Sequence, residues 1–336
     1  CHTGSGITEM TNEGIVARPR RLRRTAALRR LVAETRLAPA DLVQPLFYRE
    51  GISEPREVAA MPGVVQHTLD SLKVAVDEAV AAGVGGVTLF AVPENRDELG
   101  SGATDYDGAL NTAVRTIVSH VGDSTVVMAD LCLDEFTSHG HCGMLTRQGI
   151  VDNDLTLGRY QEMALVLADA GAHVLGTSGM MDGQVAAVRS TLDEGGYHRV
   201  LILAYAAKYS SAFYGPFREA VDSTLSGSRD TYQQDPANRR EATREVVLDL
   251  AEGADIVLVK PAMPYLDVLS EVAAVVSVPV AAYQVSGEYA MIEAAAANGW
   301  IDRETAIDEA LISIKRAGAD IIFSYYATEV AGKLPS

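Results

Sequence analysis

The chain has 336 residues, 48% hydrophobic and 22% charged, an ordinary balance for a soluble globular protein of one large domain or two smaller ones. A formal net charge of −17 argues against non-specific nucleic-acid binding by the whole surface. No apolar run nears the roughly 20 residues of a membrane span, the start has no apolar leader core, and three cysteines make no disulfide framework, which together point to the cytoplasm.

The opening CHTGSGITEMTNEG shows no periodicity, and residues 1–16 read as a disordered tail or a cloning remnant. Residues 17–38 carry a dense basic cluster from Arg18 to Arg30. Basic runs can contact nucleic acid. On an acidic protein, charge complementarity favours an arm that docks on an acidic sister subunit. The expected partner is therefore a second copy of the chain, not nucleic acid or a membrane.

From residue 39 the pattern alternates. Runs rich in Val, Ile, Leu and Ala stand at 44–48, 86–92, 124–131, 172–178, 199–207, 254–260, 279–285 and 319–327. They are continuous, as expected of parallel strands buried on both faces. Amphipathic stretches lie between them. TLDSLKVAVDEAVAAG opens on Thr68 or Asp70 as a cap and closes on Gly83. LGRYQEMALVLADAG, ANRREATREVVLDLAEG, MPYLDVLSEVAAVV and RETAIDEALISIKRAG fit the same template. Eight strands alternating with helices over roughly 290 residues predict an α/β fold, the (β/α)₈ TIM barrel, behind an extended N-terminal arm. A doubly wound sheet competes, but no Gly-rich phosphate loop follows the first strand.

Sites in such barrels collect at the C-terminal ends of the strands. The runs end near Asp130, Cys132, Ser178, Lys208, Lys260, Ser286 and Tyr325. Two of only five lysines, Lys208 and Lys260, close consecutive apolar runs. A buried ammonium is costly and tends to become a neutral amine. A neutral amine is the nucleophile that forms a Schiff base with a carbonyl substrate. One such lysine would serve equally well to neutralise a buried carboxylate. Two on neighbouring strands favour chemistry, since each disfavours protonation of the other.

After Lys208 comes an irregular stretch from Tyr209 to Pro236, long enough to be a lid. It carries Arg218 and Arg229, suited to clamping a carboxylate. Upstream, DLCLDEFTSHGHCG gathers Cys132, Asp134, Glu135, His139, His141 and Cys142, all ligand types for zinc. The spacing C-x-D-x₇-C is not a standard zinc-finger pattern. Free buried cysteines with solvated histidines would also account for it.

The segments RPRRLRRTAALRRLVAETRL, SHGHCG, MMDG, YAAKYSSAFYGPFREA, YQQDPANRREA, VKPAMPYLD and YQVSGEYAMI occur in this order. In them the chain resembles the porphobilinogen synthase (5-aminolevulinate dehydratase) family over residues 17–333. The resemblance implies the asymmetric condensation of two 5-aminolevulinate molecules to porphobilinogen with loss of water, in tetrapyrrole synthesis. It implies a Schiff base at Lys260 for the first substrate and at Lys208 for the second. Ser286 and Tyr325 would hold the first carboxylate; Arg218 and Arg229, with Gln233 nearby, would hold the second. Asp130 is a candidate proton carrier. It further implies a homo-octamer in which the arm wraps a neighbouring barrel, with metal-linked control of assembly.

The chain also departs from the family. Zinc-dependent members carry C-x-C where this chain has Cys132 and Asp134, with a third cysteine matched by Cys142. A Cys–Asp–Cys site still suits zinc, while its carboxylate leaves magnesium open. Gly179 stands where the family often has an aspartate. Glu245 matches the ligand of an allosteric magnesium in many bacterial members, and a solvated helix carboxylate explains it equally well. Two rival functions remain: a class I Schiff-base aldolase, which needs one lysine and a phosphate site, and a metal-binding barrel without catalysis.

Overall fold

The structure, a computed structural model, describes residues 17–335. The segment 1–16, read above as a tail, lies outside the described residues. The chain divides between Arg36 and Leu37, two residues before the expected end of the arm. In the first unit, Pro19–Arg23 form a 3₁₀ turn and Ala26–Leu31 a short helix. Thr25 caps that helix by accepting the Leu28 N–H at 3.2 Å.

In the second unit the strands are β1 (Leu42–Arg49), β2 (Arg56–Glu57), β3 (Val65–His67), β4 (Gly86–Val92), β5 (Val126–Leu131), β6 (Val174–Thr177), β7 (Leu201–Lys208), β8 (Ile256–Lys260), β9 (Val280–Tyr283) and β10 (Ile321–Phe323). Apart from β2 and β3, all run parallel in chain order, and β10 pairs with β1 to close the ring. This is the eight-stranded (β/α)₈ barrel. Every residue of β4 and of β8 is buried, which is why these strands read as unbroken apolar runs. Truncating the fully buried Leu258 to Ala would cost about 2–5 kcal/mol.

The helices close the outer layer. Thr68 caps Leu69–Ala82 by accepting the Ser71 N–H at 3.1 Å, and Gly83 ends it in the left-handed region at φ 83°. Asp152 and Asp302 cap Asn153–Asp169 and Arg303–Arg316 in the same way. Such a cap contributes about 1 kcal/mol. Among the described residues no helix is long and apolar enough to cross a membrane.

The observed elements differ from expectation in three ways. Most strands start about two residues later than the apolar runs, because the leading residues belong to the turns that follow the helices. Ser286, expected at a strand end, is the first residue of the helix Ser286–Ala297. That helix, Ala109–Val121 and Gln184–Glu194 are absent from the periodicity reading. In Ala109–Val121 the buried Asn111 interrupts the apolar face and donates its side-chain amide to the Asp105 carbonyl.

Candidate active site

Strands β7 and β8 place the two lysines. In the ladder Ala204 pairs with Val257, but Ala207 pairs with Val259, so β7 carries one extra residue. That shift sets Lys208 directly opposite Lys260. Without it Ala207 would stand there. Bulges of this kind commonly re-aim side chains beside active sites.

Both lysines are buried, at 5% and 7% exposure. Lys208 Nζ donates to the Ser178 carbonyl at the end of β6. Lys260 Nζ lies 4.2 Å from the ring centre of Tyr283, with Tyr205, Tyr214 and Phe217 between 5.2 and 5.6 Å away. Ring faces attract a cation. Burial first, and the charge of Lys208 second, outweigh the nearby Asp130 and Asp134 carboxylates and bring Lys260 down to about 7. Near neutral pH a large fraction is therefore free amine. Beside them burial, then Asp134, raise Asp130 to about 6.

A partly open cavity, about 490 Å³ with the solvent at its mouth included, joins Lys208, Lys260, Asp130, Asp134, Arg218 and Arg229. Its roof is the stretch after Lys208. That stretch forms a 3₁₀ turn at Ala212–Tyr214 and a helix at Gly215–Ala220, then runs without regular structure. The Phe217 ring packs on Phe47 and Phe90 at 5.8 and 5.3 Å. Arg96 fastens the roof: it donates to the carbonyls of Val221, Asp222 and Glu135, each at 2.7 Å. Arg49 adds an ion pair with Asp222.

Below the roof lies the Cys–Asp–Cys group. One donor atom each from Cys132, Asp134 and Cys142 lies within 4.8 Å of the others, and all three residues are buried. Glu135, His139 and His141 do not join them. Glu135 turns to the Ala91 N–H at 2.9 Å, and His141 meets Tyr232 and the Ser226 carbonyl. Burial pushes the Cys132 thiol well up, helped by its hydrogen bond to Cys142. Burial acts on Cys142 in the same direction, but that hydrogen bond and Arg229 outweigh it and leave Cys142 below the usual thiol range. Arg229 also donates to Asp134 at 2.8 Å and to the Gly140 carbonyl at 2.9 Å. Against the pull of burial, Arg229 and then Lys208 keep Asp134 below the usual carboxylate range. Two buried sulfurs and an anionic carboxylate converging on one point fit a divalent ion.

The other expected site residues lie apart from this cavity or at its edge. Ser286 Oγ accepts the Phe217 N–H at 2.9 Å and donates to the Phe213 carbonyl at 3.3 Å, so it touches the roof. Tyr325 Oη lies 3.4 Å from the Oη of Tyr283, whose ring faces Lys260. Gln233 and Glu245 line a second cavity, with Asp182, Asp235 and Glu241. Burial, then Asp182, raise the Glu245 carboxyl.

Sequence reading missed several residues. Tyr205 lies two residues before Ala207 on β7 and faces both amines. Glu288 accepts N–H bonds from Ala262, Met263 and Val285, tying the turn after Lys260 to the start of the Ser286 helix. Burial raises it to about 7. An aromatic residue inside an apolar strand gives no signal, whereas a glutamate inside YQVSGEYAMI is a polar residue in an otherwise buried stretch and could have been singled out.

Comparison with known proteins follows the same lines. The family described as delta-aminolevulinic acid dehydratase matches residues 16–333. The delta-aminolevulinic acid dehydratase of Streptomyces coelicolor is 65% identical over 320 residues, 95% of this chain and 97% of that protein. That of Mycobacterium tuberculosis is 63% identical, over 94% of this chain and 97% of that protein. Among solved structures, the Toxoplasma gondii delta-aminolevulinic acid dehydratase (porphobilinogen synthase) in complex with the reaction product porphobilinogen superposes with a TM-score of 0.92. It is 41% identical and covers 95% of this chain and 92% of that one.

Proposed function

The chain belongs to the delta-aminolevulinic acid dehydratase family, and from that premise we propose how its residues divide the condensation of two 5-aminolevulinates to porphobilinogen. The reading rests on one observation above all: two buried lysines paired across β7 and β8 in a single cavity. The neutral amine of Lys260 adds to the ketone carbon of the first substrate, water leaves, and an iminium remains. Lys208 does the same with the second substrate. Loss of a proton from the carbon beside that iminium gives an enamine, a carbon nucleophile. Asp130, whose Oδ1 is buried without a partner, is placed to take and return protons. The enamine carbon attacks the Lys260 iminium carbon to form the C–C bond, and Lys260 leaves as its amine. The first substrate's amino group attacks the Lys208 iminium carbon and displaces Lys208, and loss of a ring proton gives the pyrrole. The two waters lost per product are those released when the iminiums form. Holding both substrates in one cavity removes much of the entropic cost of the encounter.

Carboxylate binding follows from unused donors. Arg229 Nε and Gln233 Nε2 are buried without partners, which supports their assignment, with Arg218, to the second substrate's carboxylate. Ser286 and Tyr325 are assigned to the first. Cys132, Asp134 and Cys142 would hold a divalent ion, zinc by preference for its two sulfurs, which when bound supplies positive charge beside the reacting groups. Free thiols in this arrangement suit the reducing cytoplasm. Glu245, with Asp182 and Glu241, is assigned to a regulatory magnesium, which would relieve their mutual repulsion. Residues 17–38 are assigned to a homo-octamer arm; deleting them should lower the mass seen by light scattering.

Borohydride reduction in the presence of 5-aminolevulinate, followed by peptide mass spectrometry, tests the mechanism. Adducts are expected at both Lys208 and Lys260. No adduct at either would sink it, and an adduct at one alone would favour an aldolase-like reaction.

A further inference from the structure

Gly179 and Tyr160 share one space. Gly179 follows Ser178, whose carbonyl receives Lys208 Nζ. A Cβ on Gly179 would lie 2.0 Å from the Tyr160 hydroxyl oxygen and 2.6 Å from the ring carbon that bears it. Optimal non-bonded contact is about 3.5–4.0 Å, so no side chain fits at 179 while Tyr160 keeps its place.

Tyr160 comes from the helix Asn153–Asp169 and is fully buried. Its hydroxyl donates to the Cys142 carbonyl and lies 3.8 Å from Cys132 Sγ. One phenol therefore meets the backbone of one thiol residue, the sulfur of the other, and the turn that carries the acceptor of Lys208. If it only filled space, Phe would serve without burying a polar atom. The departure at Gly179 removes a carboxylate and also opens the gap into which this oxygen fits.

We propose that Tyr160 is a positioning residue, which holds the Cys132–Cys142 pair and the Ser178–Gly179 turn at a fixed separation, and that Gly179 is its steric complement. The helix thereby acts as a brace between the ion-binding loop and the lysine site. The consequence for ion affinity rests on the reading of the thiol pair as a metal site. The consequence for thiol geometry does not.

Tyr160→Phe keeps the ring and removes the oxygen. Its zinc affinity, measured by chelator competition, should fall about 10–100-fold, as for other outer partners of metal ligands. The thiolate charge-transfer bands of the cobalt-substituted protein should shift. In metal-free protein, alkylation of Cys132 and Cys142 by iodoacetamide should accelerate severalfold. Gly179→Ala should lower thermal stability, and Gly179→Ala with Tyr160→Leu should regain it while keeping the weak zinc binding. Unchanged affinity, cobalt spectrum and alkylation in Tyr160→Phe would overturn the proposal, as would wild-type stability in Gly179→Ala. Wild-type protein that bound no zinc would remove the metal reading alone. The alkylation rates of metal-free Tyr160→Phe would then decide the role of Tyr160.

Discussion

Two buried clusters of ionisable groups meet at the mouth of the barrel, and they are stabilised by opposite means. Lys260 faces aromatic rings and, among the described residues, forms no ion pair; burial and Lys208 bring it to about 7. Asp134 is as deeply buried, yet Arg229 at 2.8 Å keeps it an anion. Withholding a counter-charge makes a nucleophile; supplying one preserves a ligand. Both clusters line one cavity, so the local partner sets the protonation state more than the shared burial does.

Removing the amine is the most severe way to break the comparison. Lys260→Ala should reduce turnover by about 10⁴-fold or more, the scale of losing a covalent nucleophile, while circular dichroism and thermal unfolding stay near wild type. Persistence of turnover would mean that the aromatic cluster does no chemistry. Lys208→Ala should lose turnover similarly and leave a borohydride adduct at Lys260 only.

Removing the counter-charge tests the other side. Arg229→Ala leaves the Asp134 carboxylate buried and unpaired, and should cost about 3–5 kcal/mol in urea unfolding. A loss below about 1 kcal/mol would show that Asp134 simply takes up a proton. Titration then sharpens the contrast. The protonated amine cannot attack, so the rate of Schiff-base formation at Lys260 should rise with pH through about 7 and level off above it. Below that value it should fall about tenfold per pH unit. Ser286→Ala should act least, raising KM about tenfold with kcat little changed, the scale of one hydrogen bond to a charged group.

Much of this was legible in the chain. A lysine closing an apolar run conflicts with its surroundings, and conflicts of that kind are visible locally. So were the eight strands, because burial on both faces leaves continuous apolar runs. The pairing of Arg229 with Asp134 was not legible, because 95 residues separate them and each had a separate expected job. The Arg96 clamp was equally hidden, since its acceptors are backbone carbonyls that every residue possesses. The set Cys132, Asp134 and Cys142, without the histidines between, was legible through the family resemblance and not from composition, because their convergence depends on how the loop folds back.

The extra residue on β7 has a consequence for how this site can change over time. Side chains alternate along a strand, and each step is about 3.3 Å. Pairing the same residues without the bulge, one for one from Ala204 onward, would bring Ala207 opposite Lys260 and carry Lys208 a step past it. The separation of the amines is therefore a whole-number property of the ladder. Point substitutions can tune the surroundings of either nitrogen by degrees, but the distance between the two strand positions changes only in jumps.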